Sequence, residues 1–366
     1  MKILLVITEL GVGGAERLIT NLADCFAQAD HEVCLAYLYG EAKLLPNDPR
    51  VRVIKIGLTK NPVSFLPAFI KLRSLVRDFK PDVVNSHLVH ANIPVRILRL
   101  IAPIPKLISS AHNTNEEGRF RMSAYRLTDW LADISTNVSE EAVNVFIEQK
   151  AVKPGRMIAM HNGIPIQDFS FSPSARSEMR CQLDISDECQ LILAVGRLYE
   201  PKDYPNLLKA FSSLVLKASD IKLLIAGDGP LRSYLENMAA ALGIADKISF
   251  LGIRHDVPAL MSACDVFVLS SAWEGFGLVV GEAMASERVV VATDCGGVKE
   301  VIGNAGFLVP ACNSAALEEA LNKAIQLPII ERQKLGRLAR ARVESLYSLD
   351  VVAEKWLQLY QDKLSK

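Results

Sequence analysis

The sequence predicts an α/β protein made of two parallel-sheet domains, and three observations carry that expectation. Short apolar runs alternate with helical segments along the whole chain, the pattern of βαβ units. After the polar turn His161-Asn162-Gly163-Ile164-Pro165 the alternation starts afresh at Gln190. At 366 residues and 50% hydrophobic content, the chain exceeds what a single core of typical size employs. The expected limits are residues 1–165, 166–345 and a closing segment 346–366.

The elements follow in order. Residues 3–8 form a near-continuous apolar run, as in a parallel strand buried on both faces. The turn Gly11-Val12-Gly13-Gly14-Ala15-Glu16-Arg17 then opens a helix carrying Leu18, Ile19, Leu22 and Ala23, an arrangement that can cradle phosphate. A dinucleotide fingerprint would need glycine where Glu16 stands, and a carboxylate there would repel a pyrophosphate. Further strands are expected at 31–39, 51–56, 82–87, 106–113 and 132–139, the last ending in an N-cap at Ser139. Helix Phe65–Phe79 places Phe65, Phe69, Leu72, Val76 and Phe79 on one stripe, read as facing the core. Its Lys71, Arg73 and Arg77 lie elsewhere and leave a contact with anionic membrane as the alternative. His87 ends its strand, where open sheets bind ligands, and is read as a satisfied polar residue lining the cleft, with a catalytic role as the alternative. Arg119, Arg121 and Arg126 share a helix, either as a solvated face or facing an anionic acceptor.

In the second half, the strand from Gln190 ends in Gly196-Arg197, with Lys202 just beyond. A guanidinium and an ammonium around such a turn suit a diphosphate. Strands at 221–226 and 248–254 follow, the first running into Gly227-Asp228-Gly229-Pro230. The strand at 265–269 leads into Ser271-Ala272-Trp273-Glu274-Gly275-Phe276-Gly277, and a helix opens at Leu278. Gly275 and Gly277 permit close backbone approach, and the helix start offers free N–H groups to an anion. Strands at 289–293 and 306–309 and helices from Ser314 and Glu331 complete the pattern.

Glu274 and Glu282, with seven residues between them and Phe276-Gly277 inside, resemble the E-x7-E signature of retaining glycosyltransferases of the GT-B fold, the GT4-like group. Gly13-Gly14 resembles the G-G-A-E loop of that group, and 161–165 its N-G-[IV]-D linker, with Pro165 where aspartate is common. Gly196-Arg197 to Lys202 resembles G-R-x4-K, with Asp203 where glycine is usual. Thr293 to Gly297 resembles T-x-x-G-G. The resemblance implies two Rossmann-like domains with parallel sheets facing across a cleft, and a C-terminal helix packing back on the first. It implies that Glu274 holds donor-sugar hydroxyls, Glu282 the ribose, and Arg197 and Lys202 the diphosphate. Gly13, Gly14, Phe276, Gly277 and Leu278 would surround the donor, Gly252 and Arg254 the base, and His112 the reacting sugar, while Glu16 orders its loop.

The expected activity is retaining transfer of a hexose-type sugar from a nucleotide sugar, UDP favoured. The acceptor would be a glycan or a polyprenyl-diphosphate-linked sugar, in making a surface polysaccharide such as O-antigen or capsule. No Asp-x-Asp occurs, and Arg197 and Lys202 can neutralise the diphosphate, so neither metal nor other cofactor is expected. A glycosidase pair is excluded: eight helical positions span ~12 Å, whereas glycosidase carboxylates stand ~5–9.5 Å apart. The alternatives are a nucleotide-sugar epimerase, which needs no acceptor, and a non-catalytic sugar-nucleotide-binding protein. With 41 basic and 41 acidic residues, the chain does not have the profile of a nucleic-acid binder. Seven cysteines without a C-x-x-C are read as buried free thiols in a reducing compartment. The first strand is too short for a signal peptide, and no apolar run approaches the ~18–20 residues of a membrane span. The expectation is a cytoplasmic protein, or one peripheral on the cytoplasmic face of the inner membrane.

Overall fold

The computed structural model describes residues 1–362 except 12, 60, 115–117 and 219, with the backbone alone at Pro62 and Arg119. The chain divides into two compact units, Met1–Gly163 with Leu349–Lys366, and Ile164–Ser348. The divisions thus fall at 163/164 and 348/349, against 165/166 and 345/346 read from the sequence.

In the first unit the strands are β1 (Lys2–Ile7), β2 (Glu32–Tyr37), β3 (Arg52–Lys55), β4 (Val83–His87), β5 (Lys106–Ser110), β6 (Ile134–Asn137) and β7 (Met157–Ala159). They form one parallel sheet in the order β3-β2-β1-β4-β5-β6-β7. Ser139 caps its helix as expected, accepting from the Ala142 amide at 3.2 Å. The helix Leu349–Gln361 belongs to this unit: Val352, Ala353, Trp356, Leu359 and Tyr360 pack into the core with Ile3, Leu22 and Phe26. Asn85 donates to the Tyr360 hydroxyl at 2.8 Å, and the Lys106 ammonium donates to the terminal carbonyls of Leu359, Tyr360 and Asp362. A cation there offsets the negative end of the helix.

Helix Phe65–Phe79 departs from its expected stripe. Ala68, Leu72, Leu75, Val76 and Phe79 are buried, whereas Phe65, Leu66 and Ile70 are exposed. Phe65 lines the mouth of a cavity and stacks on Phe69, which packs against the core beside Ala68.

The second unit carries β8 (Gln190–Val195), β9 (Ile221–Ala226), β10 (Ile248–Gly252), β11 (Val266–Leu269), β12 (Val289–Asp294) and β13 (Phe307–Pro310). These form a parallel sheet in the order β10-β9-β8-β11-β12-β13. Helices Ser314–Gln326 and Ile329–Leu346 follow, and Leu317, Leu321 and Ala324 of the first enter the core. None of the seven cysteines is in a disulfide; Cys34, Cys189, Cys264 and Cys295 are buried as expected, Cys25 is half-buried, and Cys181 and Cys312 are exposed. Among the described residues no helix is long and apolar enough to cross a membrane.

Candidate active site

Each sheet reverses its strand order once near the middle, and ligands bind open parallel sheets outside the carboxyl ends at such a point. In the second unit the reversal lies between β8 and β11. From β8 the chain leaves through Gly196-Arg197 to Lys202; from β11 it leaves through Ser270 to Gly277. The two loops are tied together: the Ala272 amide donates to the Pro201 carbonyl and the Ser270 hydroxyl to the Lys202 carbonyl, both at 2.8 Å. At their tips the Lys202 ammonium pairs directly with the Glu274 carboxylate, which also accepts from the Ser271 hydroxyl at 2.7 Å.

Local chemistry explains the loop shapes. Asp203 holds φ 43°, the left-handed region, which accounts for a glycine being usual at that position. Aspartate tolerates that backbone, and its side chain caps the helix Tyr204–Val215 through the Asn206 amide. Gly277 (φ 81°) sets the start of helix Leu278–Ala285, with Leu278 half-buried at its first position. At Gly296 (φ 55°) a Cβ would collide with the Glu274 carbonyl oxygen, so the β12 turn fixes the Glu274 backbone from behind. Glu282 is buried one turn into that helix.

Three residues expected at the donor have partners within the second unit. The Phe276 ring is buried edge-on against Tyr347, centroids 5.6 Å apart. Arg254 is held by Asp256, Nε to Oδ1 at 2.7 Å, and its guanidinium is raised in pKa by that hydrogen bond. Gly252 (φ 68°) accepts from the Gly227 amide and so shapes the turn. Arg197 is exposed, lying over the Tyr199 ring at 5.4 Å. Two apolar side chains here are exposed: Ile253, just past the end of β10 and within the strand expected at 248–254, and Trp273, next to Glu274.

In the first unit the reversal lies between β1 and β4. β1 runs toward Gly13, the extended N-cap of helix Gly14–Gln28, where the Glu16 carboxylate folds back over the Gly13 Cα. Burial raises the pKa of Glu16, in keeping with a loop-ordering group. β4 ends at His87, which is fully buried, and β5 leads to the half-buried His112. His87 Nδ1 and His112 Nε2 are 3.0 Å apart, and His87 Nε2 and His112 Nδ1 have no partner, so His87 is not the satisfied residue expected. Leu88 follows at φ 71°, ψ 152°, a region that side chains rarely occupy. Gly13, Gly14 and His112 therefore belong to the first unit, and Arg197, Lys202, Gly252, Arg254, Glu274 and Phe276 to Glu282 belong to the second.

Both imidazoles are held neutral. Burial pulls His112 down to about 4, and burial with the neighbouring ring pulls His87 well below the ordinary range. A histidine whose folded pKa lies below the unfolded ~6.5 binds fewer protons than the unfolded chain. Its stabilisation is complete above that value and is lost as pH falls toward 4. Between pH 7 and pH 5 the wild type is expected to lose about 1–2 kcal/mol more than His112→Gln, read by urea unfolding at both pH values. Equal losses would remove His112 as the titrating group.

A cavity of about 1250 Å³ opens in the first unit, lined by Tyr39, Lys55, Phe65, His90, Phe120 and Arg121 among others. Of the three arginines read as a basic face, Arg121 lines this cavity and Arg126 is exposed elsewhere; the Arg119 side chain lies outside the described residues.

Two parallel sheets, each with a glycine-bearing loop and polar side chains gathered at its reversal, define the GT-B class. Residues 175–342 match the family "Glycosyl transferases group 1", and residues 12–168 match "Glycosyltransferase Family 4". The chain belongs to the GT4-type glycosyltransferases and is a transferase enzyme. It is 28% identical to a Campylobacter jejuni enzyme over 98% of each chain, the GalNAc-alpha-(1->4)-GalNAc-alpha-(1->3)-diNAcBac-PP-undecaprenol alpha-1,4-N-acetyl-D-galactosaminyltransferase. It is 24% identical to an Escherichia coli UDP-Gal:alpha-D-GlcNAc-diphosphoundecaprenol alpha-1,3-galactosyltransferase, over 67% of this chain and 66% of that one. Among solved structures it is similar in fold to Anabaena HepE in complex with UDP, with a TM-score of 0.84 at 22% identity over 98% and 99% of the two chains.

Proposed function

We propose that the protein transfers a hexose-type sugar, with retention, from a UDP-sugar to a polyprenyl-diphosphate-linked or other glycan acceptor in polysaccharide synthesis. The observation that carries this reading is the pairing of Lys202 with Glu274 across the two loops at the β8/β11 reversal. A cation and a carboxylate held side by side suit the junction between a diphosphate and a sugar: one partner for the phosphate, one for the hydroxyls. In the transfer, the bond from sugar C1 to phosphate oxygen breaks and a bond to the acceptor oxygen forms on the same face. The acceptor's proton passes to the departing phosphate oxygen. Arg197 and Lys202 stabilise the charge that develops there, and no metal is required for that step.

The acceptor reading rests on the first-unit cavity, where Lys55 and Arg121 accompany the apolar Phe65 and Phe120. The exposed Val63, Leu66 and Ile70, with Ile97, Leu100 and Ile101 nearby and Lys71 and Arg73 on the same helix, suit an anionic membrane surface. The two lipid-linked relatives support the acceptor class, and the UDP complex of the structural neighbour supports the base.

The test is a panel of UDP- and GDP-sugars assayed with a diphosphoundecaprenol-linked sugar, a soluble glycan or no acceptor, each with and without EDTA. Expected is EDTA-insensitive UDP release that depends on the lipid-linked acceptor and yields, by NMR, a product linkage of the same anomeric configuration as the donor. Turnover without acceptor would favour the epimerase, and a product linkage of the opposite anomeric configuration to the donor's would overturn retention.

A further inference from the structure

The contact between Lys202 and Glu274 has a consequence beyond holding a donor. Both side chains are largely enclosed, each with 14% of its side chain exposed, and each is the other's ionic partner. Ser271 adds one hydrogen bond to the same carboxylate oxygen. The contact is geometrically secured, because the backbones that carry the two groups are tied through Ala272 to Pro201 and Ser270 to Lys202. Gly296 packs behind the Glu274 carbonyl and blocks retreat on that side. A diphosphate entering this site must therefore take Lys202 away from Glu274.

What replaces the lost partner depends on the ligand. An intact nucleotide sugar brings a phosphate for the ammonium and hydroxyls for the carboxylate, so both groups are satisfied again. A nucleoside diphosphate brings the phosphate alone. Glu274 is then left with the Ser271 hydroxyl and a neighbouring anion, in a setting where an uncompensated charge is costly.

We propose that the Lys202–Glu274 ion pair is a specificity device that disfavours the spent nucleoside diphosphate relative to the intact donor. It re-forms as the sugar leaves and so promotes product release. The proposal rests on the donor reading given above, and it adds a role for Glu274 after transfer as well as before it.

The test is a double-mutant cycle on UDP binding by titration calorimetry, using the full chain as wild type, Glu274→Gln, Lys202→Met and the double variant. Glu274→Gln is expected to tighten UDP about three- to tenfold, the scale of one partly enclosed ion pair. Lys202→Met is expected to weaken UDP by a larger factor in the Glu274→Gln background than in the wild type, because only there is the ammonium free beforehand. Glu274→Asp keeps the charge but shortens the reach, and is expected to tighten UDP as well. Equal Lys202→Met factors in both backgrounds, or tightening by Gln without any by Asp, would overturn the inference and leave the donor site standing. Absence of UDP binding in every variant would overturn it together with the donor reading.

Discussion

Lys202→Met is expected to lower kcat by about 10²- to 10³-fold, the cost of removing one preorganised group from the site of developing charge. The leaving diphosphate gains negative charge as the sugar departs, and in an enclosed site a fixed cation acts on that charge with little screening. Lys202 sits on the single helical turn Glu200–Lys202, with its backbone bonded to the β11 loop, so little reorganisation precedes the step. The second unit should remain folded, since the ammonium's ionic partner, Glu274, stands in the loop after β11 and not within the sheet. Steady-state kinetics with the donor and acceptor that the panel identifies, alongside a melting curve, check this. A loss below about fivefold with an unchanged melting point would exclude Lys202 from leaving-group stabilisation. Lys202→Arg keeps the charge but replaces a compact ammonium with a planar fork, and it should recover only part of the rate.

Much of this site was legible in the sequence because strands buried on both faces leave apolar runs, and glycines mark the turns at their ends. β9, read at 221–226, and helix Phe65–Phe79 coincide with the observed elements. The glycine turns beside Glu274 and after Thr293 were legible for the same reason: Gly277 and Gly296 hold positive φ that other residues resist. What was not legible is partnership. Lys202 and Glu274 are far apart in sequence, and spacing along a chain does not encode a contact across two loops. Arg254 shows a partnership that is nearer in sequence, because Asp256, which pairs with it, stands two residues on. Phe276 was placed at the donor on the strength of its motif, and its ring went to Tyr347 because an aromatic beside an aliphatic core gains more from burial. The unmet nitrogens of His87 and His112 likewise arise from two strand ends brought together by the β4–β5 pairing.

Asp265→Ala is expected to destabilise the second unit by about 3–5 kcal/mol, the cost of breaking a buried ionic cluster from one side. Asp265 precedes β11 and is almost wholly buried. Its carboxylate accepts from the Leu191 amide at 2.8 Å, while its own amide donates to the Leu191 carbonyl at 2.8 Å. The same carboxylate meets three guanidinium groups, Arg176 at 2.8 Å, Arg180 at 3.4 Å and Arg332 at 3.5 Å. Removing it leaves three cations without that shared anion and frees a strand amide at the β8–β11 seam. That seam is the reversal of the sheet, so the carboxylate staples the starts of the two strands whose far ends carry Arg197 and Glu274. Hydrogen exchange of the β8 and β11 amides is the direct measure, with protection expected to fall by about 10²-fold or more. Asp265→Asn keeps an acceptor for the Leu191 amide and should cost less, and it serves where the alanine variant does not accumulate folded. A change below about 1 kcal/mol in Asp265→Ala would mean that the arginines find equivalent partners among nearby carbonyls, such as Ala263 and Cys264, which Arg176 already contacts. The seam would then be held by backbone pairing and apolar packing alone.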